Sequence, residues 1–357
     1  MILFWLIPAA YVLFTLLVFL GLILKHKPQA EKRSDISVDI LIPFKDEAEN
    51  LPELLDSLLD QKDASNKISI YFINDHSSDN SVRIIMQYQQ KSPDIHLLEN
   101  SGSGKKSALI TGFNASRGEV ILLTDADTII SSDWIQSHIR QYDPETDMLI
   151  GPVEMLPLKH KIWHHLQVLE YKSIQAVTVG LGTLNLPVMC SAANLSFRRS
   201  AVSDIRKALN LNYRSGDDMF LLHHFKSERK KICINHSVVR IKTEPFNKFL
   251  QQRIRWSEKA KGYNDFMILV TGLLVMLMNL LIPATFTASF FANSLASVFL
   301  ILFSIKILSD TLVILPLLKK SELSLLWLLI PLSILYPFYA VGVAVAGFLK
   351  PEHSKGW

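Results

Sequence analysis

Carboxylates that gather at the ends of apolar runs are the first chemically suggestive feature of this 357-residue sequence. Residues 38–43 form a short apolar run that stops in Phe44-Lys45-Asp46-Glu47. Residues 68–73 stop in Asn74-Asp75-His76-Ser77-Ser78-Asp79, and residues 119–124 in Asp125-Ala126-Asp127. Each acid alone reads equally well as a turn residue or a helix N-cap, because Asp and Ser accept backbone hydrogen bonds there. Three such clusters on one edge are another matter: close carboxylates repel each other unless a cation or ligand compensates them. Taken together they read as a ligand site.

The elements that must carry these clusters follow from periodicity. After Glu47, the residues Leu51, Leu54, Leu55, Leu58 and Leu59 recur at helical spacing, and Val82, Ile85 and Met86 mark a second helix after Asp79. A short strand at 95–98, a helix at 106–116 and a strand at 119–124 complete the pattern. Alternating strands and helices predict an α/β fold with a mainly parallel sheet. Ligands of such sheets bind beyond the carboxyl ends of the strands, where Asp46, Asp75 and Asp127 fall.

Apolar segments flank this region. Residues 1–24 contain no Asp, Glu, Lys or Arg, and at about 1.5 Å per residue a helix of that length crosses a hydrocarbon core of about 30 Å. No basic residue precedes the run and Lys25-His26-Lys27 follow it, so it reads as a spanning helix and not as a cleaved leader. Residues 266–291, 295–318 and 323–349 are predicted as three further spans. Lys25, Lys27, Lys32, Arg33, Lys319 and Lys320 place their loops in the cytoplasm by the positive-inside rule, although Lys350 and Lys355 pull the other way. The expectation is a multi-pass protein of the plasma or inner membrane whose residues 25–265 form one cytosolic domain. The sequons at Asn114, Asn194 and Asn235 are then accidental.

Several function classes are excluded. The net charge of +4 lies largely beside membrane segments, where anionic lipid attracts it, and no basic stripe with interleaved aromatics suggests nucleic acid. Two cysteines, Cys190 and Cys233, make neither a disulfide framework nor a cysteine zinc site. Gly104-Lys105 is no phosphate loop, since Glu99 stands where Gly is needed and Lys106 where Ser or Thr is needed. Gly180-Leu181-Gly182 has Asn185 in place of the third glycine of a dinucleotide fingerprint.

The ordered set Ile42-Pro43-Phe44-Lys45-Asp46-Glu47, Asn74–Asp79, Gly104-Lys105-Lys106, Asp125-Ala126-Asp127, Ser215-Gly216-Asp217-Asp218 and Gln252-Arg253-Ile254-Arg255-Trp256 resembles the membrane-bound family 2 glycosyltransferases. The resemblance spans roughly residues 36–260 and implies a GT-A fold, a nucleotide-sugar donor, usually a UDP-sugar, and inversion at the anomeric centre. It assigns Asp127 to a divalent metal, with Asp125 nearer the ribose and diphosphate. Hard oxygen ligands that leave room for phosphate suit Mg²⁺ or Mn²⁺. Pro43, Phe44 and Glu47 then border the nucleotide, Asp75 contacts the base, and Lys105 or Lys106 assists the phosphates. An acceptor hydroxyl must lose a proton as it attacks, and Asp218 occupies the family's general-base position beside Asp217, where many relatives carry Glu.

Gln252, Arg255 and Trp256 are assigned to diphosphate and acceptor, Arg255 offering a planar fork and Trp256 a flat apolar face. A basic, aromatic membrane anchor is the competing reading of this segment. Residues 190–199 resemble the segment lining the acceptor pocket. His160, His164 and His165 sit among Ile162, Trp163, Leu166 and Leu169, which reads as an amphipathic surface helix and not as a metal site. Lys306 and Asp310, four apart in the third span, form either a structural pair or a functional site. Three functions remain open: transfer of one or few sugars to a lipid, processive synthesis of an extracellular polysaccharide, and an inactive binding or scaffold protein. The last would be marked by loss of an acidic motif, and Asp75, Asp127 and Asp218 are all present.

Overall fold

The computed structural model describes residues 2–24, 36–61, 67–159 and 161–349. Helix α1 (Ile2–Ile23) is followed by β1 (Val38–Phe44), α2 (Leu51–Leu59), β2 (Ile68–Asn74), α3 (Ser81–Gln89), β3 (Ile95–Glu99), α4 (Lys105–Ala115) and β4 (Val120–Leu123). Then come α5 (Trp134–Ile139), β5 (Thr146–Ile150), β6 (Val153–Leu156), α6 (Ile162–Thr183), β7 (Leu195–Arg198), α7 (Ile205–Ala208) and α8 (Asp217–Ser227). The chain ends with β8 (Lys231–Ile234), β9 (Val239–Lys242), α9 (Phe246–Lys259), α10 (Phe266–Ser289), α11 (Asn293–Ile314) and α12 (Leu329–Leu349). These elements form two compact units, which divide the chain at residues 156–157, 188–189 and 242–243 beyond the break after α1. Residues 157–188 and 243–265, expected within a single 25–265 domain, group with the apolar helices.

The first unit is an α/β domain. Its seven-stranded sheet has the order β3-β2-β1-β4-β7-β5-β8. Only β7 runs antiparallel to its neighbours, so the sheet is mainly parallel, as the alternating pattern predicts. All seven residues of β1 are buried, the signature of a central parallel strand covered on both faces. Leu51, Leu54, Leu55 and Leu58 seat α2 on the core, whereas Leu59 of α2 and Met86 of α3 face outward, 42% and 54% exposed. Register matters most for function. Phe44 pairs with Asn74 and Asn74 with Glu99, so β1, β2 and β3 end level with one another.

Behind the sheet lies a buried polar cluster. His138 and Asn194 are fully buried, and Asn194 Oδ1 accepts from Trp134 Nε1 and His138 Nε2, each at 3.0 Å. Asn194 Nδ2 donates to the carbonyls of Pro152 and Ser237. His138 Nδ1 meets Ser196 Oγ at 2.7 Å, and Tyr142 donates to the same hydroxyl. The pattern is satisfied by a neutral imidazole protonated on Nε2. Burial pulls the His138 pKa down to about 4, against a smaller opposing effect of Asn194. Below pH about 6.5 the unfolded chain then takes up a proton that the folded chain refuses, so stability falls as pH drops from about 6.5 towards 4. A shift of this size corresponds to about 3 kcal/mol. The melting temperature in detergent should fall between pH 7 and pH 4.5, and His138→Gln should flatten that dependence. An equally steep fall in the variant would assign the acid sensitivity elsewhere.

The second unit contains four helical stretches long and apolar enough to cross a bilayer, at Phe4–Ile23, Phe266–Ser289, Asn293–Leu317 and Lys320–Leu349. Residues 320–328 are wound as 3₁₀ turns, so the predicted span at 323–349 divides before α12. Helix α1 crosses α6 at two glycines. A Cβ on Gly21 would lie 1.8 Å from the Gly180 carbonyl oxygen, and one on Gly180 would lie 2.4 Å from that of Val18. Gly180 thus serves helix packing. Within α11, Lys306 Nζ bonds Asp310 Oδ2 at 2.5 Å, and Tyr11 of α1 donates to Asp310 Oδ1 at 2.6 Å.

Helix α6 corrects one expectation. It is no surface helix, because His164, Gln167, Glu170, Lys172 and Gln175 are all buried in it. Three of these groups meet remote partners: His164 Nδ1 bonds Thr243 Oγ1 at 2.6 Å, Gln167 donates to the Glu244 carbonyl, and Lys172 reaches the Leu317 carbonyl and Glu322. Those partners lie more than 75 residues away, out of reach of periodicity. His160, Lys25, Lys27, Lys32, Arg33, Lys350 and Lys355 lie outside the described residues.

Candidate active site

The parallel strands β1, β2 and β4 deliver the three acidic clusters to one edge of the α/β unit. The first two clusters lock to each other. Asp46 and His76 both take left-handed backbone conformations, with φ of 54° and 59°. Asp46 Oδ1 accepts from Ser78 N at 2.7 Å, Asp79 Oδ2 from Ala48 N at 3.0 Å, and Ser81 Oγ from Glu47 N at 2.8 Å. Asp46 and Asp79 therefore fix loop geometry, whereas Glu47 acts on the carboxylate of Asp127.

Asp75 is fully buried. Its Oδ1 accepts from Asn100 Nδ2 at 2.5 Å and from Gly104 N at 2.9 Å. Gly104 has φ of 88°, a conformation that favours glycine. Asn100 Oδ1 in turn accepts from Gly102 N and Ser107 Oγ, so the loop before α4 folds around Asp75. Pro43 and Phe44 are buried: the Phe44 ring packs edge-on to Phe72 at 6.4 Å, and its carbonyl accepts from Asp75 N at 2.9 Å. Phe44 thus holds the start of the Asp75 loop through its carbonyl.

Lys105, at the start of α4, stands between three acids. Its Nζ is 2.6 Å from Asp125 Oδ1 and 3.3 Å from Asp217 Oδ2. Burial works against its charge, but Asp125, Asp217 and Asp218 outweigh that cost and raise its pKa. The neighbouring Lys106 is turned the other way. It is buried, donates to the Asn210 carbonyl at 2.9 Å and lies over the Phe220 ring. Of the two lysines, Lys105 is the one brought to the acidic edge.

Asp127 is reachable by solvent but crowded by protein. Its pKa is pushed up to about 7, first by those low-dielectric surroundings and then by the carboxylates of Asp125 and Glu47, with Lys105 offsetting part. Such a group gains from a nearby cation. Among the described residues no three His, Cys, Asp or Glu side chains gather as a complete metal cage. Two or three loosely grouped carboxylates fit a hard cation that takes its remaining oxygens from phosphate and water. Asp127 and Asp125 suit that role.

Gly216, with φ of 87°, opens α8 and sets Asp217 and Asp218 in its first turn. Asp217 is buried and faces Lys105, while Asp218 is half-buried and accepts from Met219 N at 2.8 Å. Cys190 Sγ donates to the Asp218 carbonyl at 3.2 Å, which places the start of segment 190–199 beside Asp218. Asn194 and Ser196 of that segment belong to the buried cluster behind the sheet.

Gln252, Arg255 and Trp256 lie on α9 in the other unit. The residue that organises this motif is Arg253, which no local signal distinguished. It is 4% exposed, bonds Glu170 of α6 through Nη2 at 2.7 Å, donates to Gln252 Oε1 and lies 4.2 Å from the Trp256 ring. Tyr339 of α12 donates to the same Glu170 at 3.2 Å. Glu170 and Arg253 are 83 residues apart, which hides the pair from sequence reading.

Residues 39–206 match the family described as Glycosyl transferase family 2. A poly-β-1,6-N-acetyl-D-glucosamine synthase of Staphylococcus aureus is 27% identical over 211 residues, covering 57% of this chain and 48% of that protein. A dolichyl-phosphate β-glucosyltransferase of Trichomonas vaginalis is 31% identical over 101 residues, covering 26% of this chain and 31% of that one. The chain thus spans about half, or less, of the curated relatives it matches. Among solved structures, a mannosyltransferase from Pyrobaculum calidifontis in complex with GDP-Man and Mn²⁺ superposes with a TM-score of 0.54 at 15% identity, over 96% of this chain and 97% of that one. At that identity the likeness concerns the fold. Residues 39–206 thus match family 2 glycosyltransferases in sequence, and the mainly parallel sheet has the GT-A type of fold, with one apolar helix before it and three after it among the described residues.

Proposed function

We infer that the protein is an inverting glycosyltransferase that moves a sugar from a nucleotide-sugar, a UDP-sugar in the first instance, to a lipid hydroxyl at the membrane surface. The observation that carries this reading is the meeting of Lys105 with Asp125 and Asp217 on the edge that also holds Asp127 and Glu47. It brings a cation and a crowded set of carboxylates to one place. Asp75 and the loop of residues 100–104 receive the nucleotide, and Lys105 faces the diphosphate. Asp127 and Asp125 hold Mg²⁺ or Mn²⁺, which when bound neutralises charge on the departing diphosphate. Asp218 accepts the proton of the attacking hydroxyl. The α/β unit lies in the cytosol in this reading.

The lipid acceptor is supported by the spans themselves. A tunnel wide enough for a sugar chain needs several helices with hydrophilic inner faces. The four candidate spans offer chiefly Lys306 and Asp310, and these bond each other and Tyr11. The relative that acts on dolichyl phosphate points the same way. Processive polysaccharide synthesis is the second reading, favoured by the longer match to the staphylococcal synthase.

Full-length protein in nanodiscs, given radiolabelled UDP- and GDP-sugars with membrane lipid, tests the donor. We expect label from one UDP-sugar to enter the lipid phase, and chelator to stop it. Consumption of a GDP-sugar alone would overturn the UDP assignment, and consumption of none would overturn the reading as a transferase.

A further inference from the structure

Asp217 and Asp218 are adjacent in sequence and both act on Lys105, but not equally. The buried Asp217 carboxylate lies 3.3 Å from Lys105 Nζ and outweighs Asp218 there, while the Asp218 backbone carbonyl accepts from Cys190 Sγ. Lys105 is itself tied to the nucleotide side of the site. It follows Gly104, whose N–H donates to Asp75, and its Nζ bonds Asp125 at 2.6 Å. A chain of contacts therefore runs from Asp75 through Gly104 and Lys105 to Asp125 on one side and Asp217 on the other.

We propose that Asp217 is a positioning residue for the donor, acting through Lys105, and not a partner of the general base. This rests on the reading of the acidic edge as a nucleotide-sugar site. A divalent cation arriving at Asp125 and Asp127 competes with Lys105 for Asp125 and repels its ammonium. With Asp125 drawn to the metal, Asp217 is the nearest protein carboxylate left to Lys105, at 3.3 Å and ahead of Asp218, and a poorly solvated cation that loses its nearest anion is disfavoured. Asp217 therefore lets Lys105 and the metal occupy the diphosphate site together. Without it, Lys105 either collapses onto Asp125 and blocks it or withdraws from the phosphates.

Titrating UDP in the presence of Mn²⁺ into the full chain in nanodiscs tests this by calorimetry. Asp217→Asn should weaken UDP–Mn²⁺ binding tenfold or more, and Asp217→Glu should restore most of it. Lys105→Met should weaken binding comparably, and the double variant Asp217→Asn/Lys105→Met should be no worse than Lys105→Met alone, because the two residues act as one unit. Turnover at saturating donor should fall far less in Asp217→Asn than binding does. Unchanged UDP affinity in Asp217→Asn, with its melting temperature also unchanged, would overturn the proposal, as would fully additive losses in the double variant. A wild-type chain that binds no UDP with Mn²⁺ would instead overturn the donor reading on which the proposal rests.

Discussion

Asp218→Asn should lower sugar transfer on the order of a thousandfold, within the range that general-base catalysis contributes, while leaving UDP–Mn²⁺ binding close to that of the parent chain. The substitution keeps side-chain size and the ability to accept from Met219 N, so α8 retains its start. It removes only the basicity needed by an attacking hydroxyl. The same variant also reads out the acceptor's chemistry. A lipid phosphate is already ionised at neutral pH and needs no base, so a mild effect would redirect the acceptor from a hydroxyl to a phosphate. Transfer at the parent rate on a hydroxyl acceptor would remove Asp218 from its role.

Asp127→Ala should act on the other substrate. Its pKa is raised first by the protein packed around it and then by the carboxylates of Asp125 and Glu47, and a bound cation would relieve that repulsion. Removing it should weaken metal-dependent UDP binding by roughly a hundredfold, in keeping with the several kcal/mol that a bridging metal supplies. Metal-free UDP binding should change little. Calorimetry with and without Mn²⁺ separates the two, and an equal loss in both conditions would mean that Asp127 contacts the nucleotide directly or supports the loop.

Much of the α/β unit was legible because its central strands are continuous apolar runs and its first helices carry leucines on one face. Strand β7 was not, since its antiparallel pairing with β4 joins segments more than 70 residues apart and leaves no local pattern. Within the site, Asp75 follows β2 and Asp125 and Asp127 follow β4, strands that both pair parallel with β1, which is why the apolar runs before them point to one edge. Sequence could not choose between Lys105 and Lys106, because adjacent residues differ only in helical phase. In space one meets Asp125 and the other is buried over Phe220. Asp46 closes a turn against Ser78, a use that only the loop contacts reveal, while Glu47 of the same cluster acts on Asp127. Arg253 escaped notice because its value depends on Glu170, and α6 was misplaced at the surface because the partners of His164, Gln167 and Lys172 are equally remote.

Product analysis decides whether the acidic edge moves sugar from a nucleotide to a membrane lipid. Purified protein in nanodiscs of defined lipid, incubated with radiolabelled UDP-sugar and Mn²⁺, should yield label that partitions into organic solvent and shows the mass of one lipid plus one or few sugars. A water-soluble ladder or high-mass polymer made without lipid acceptor would contradict the account and establish the chain as a processive synthase.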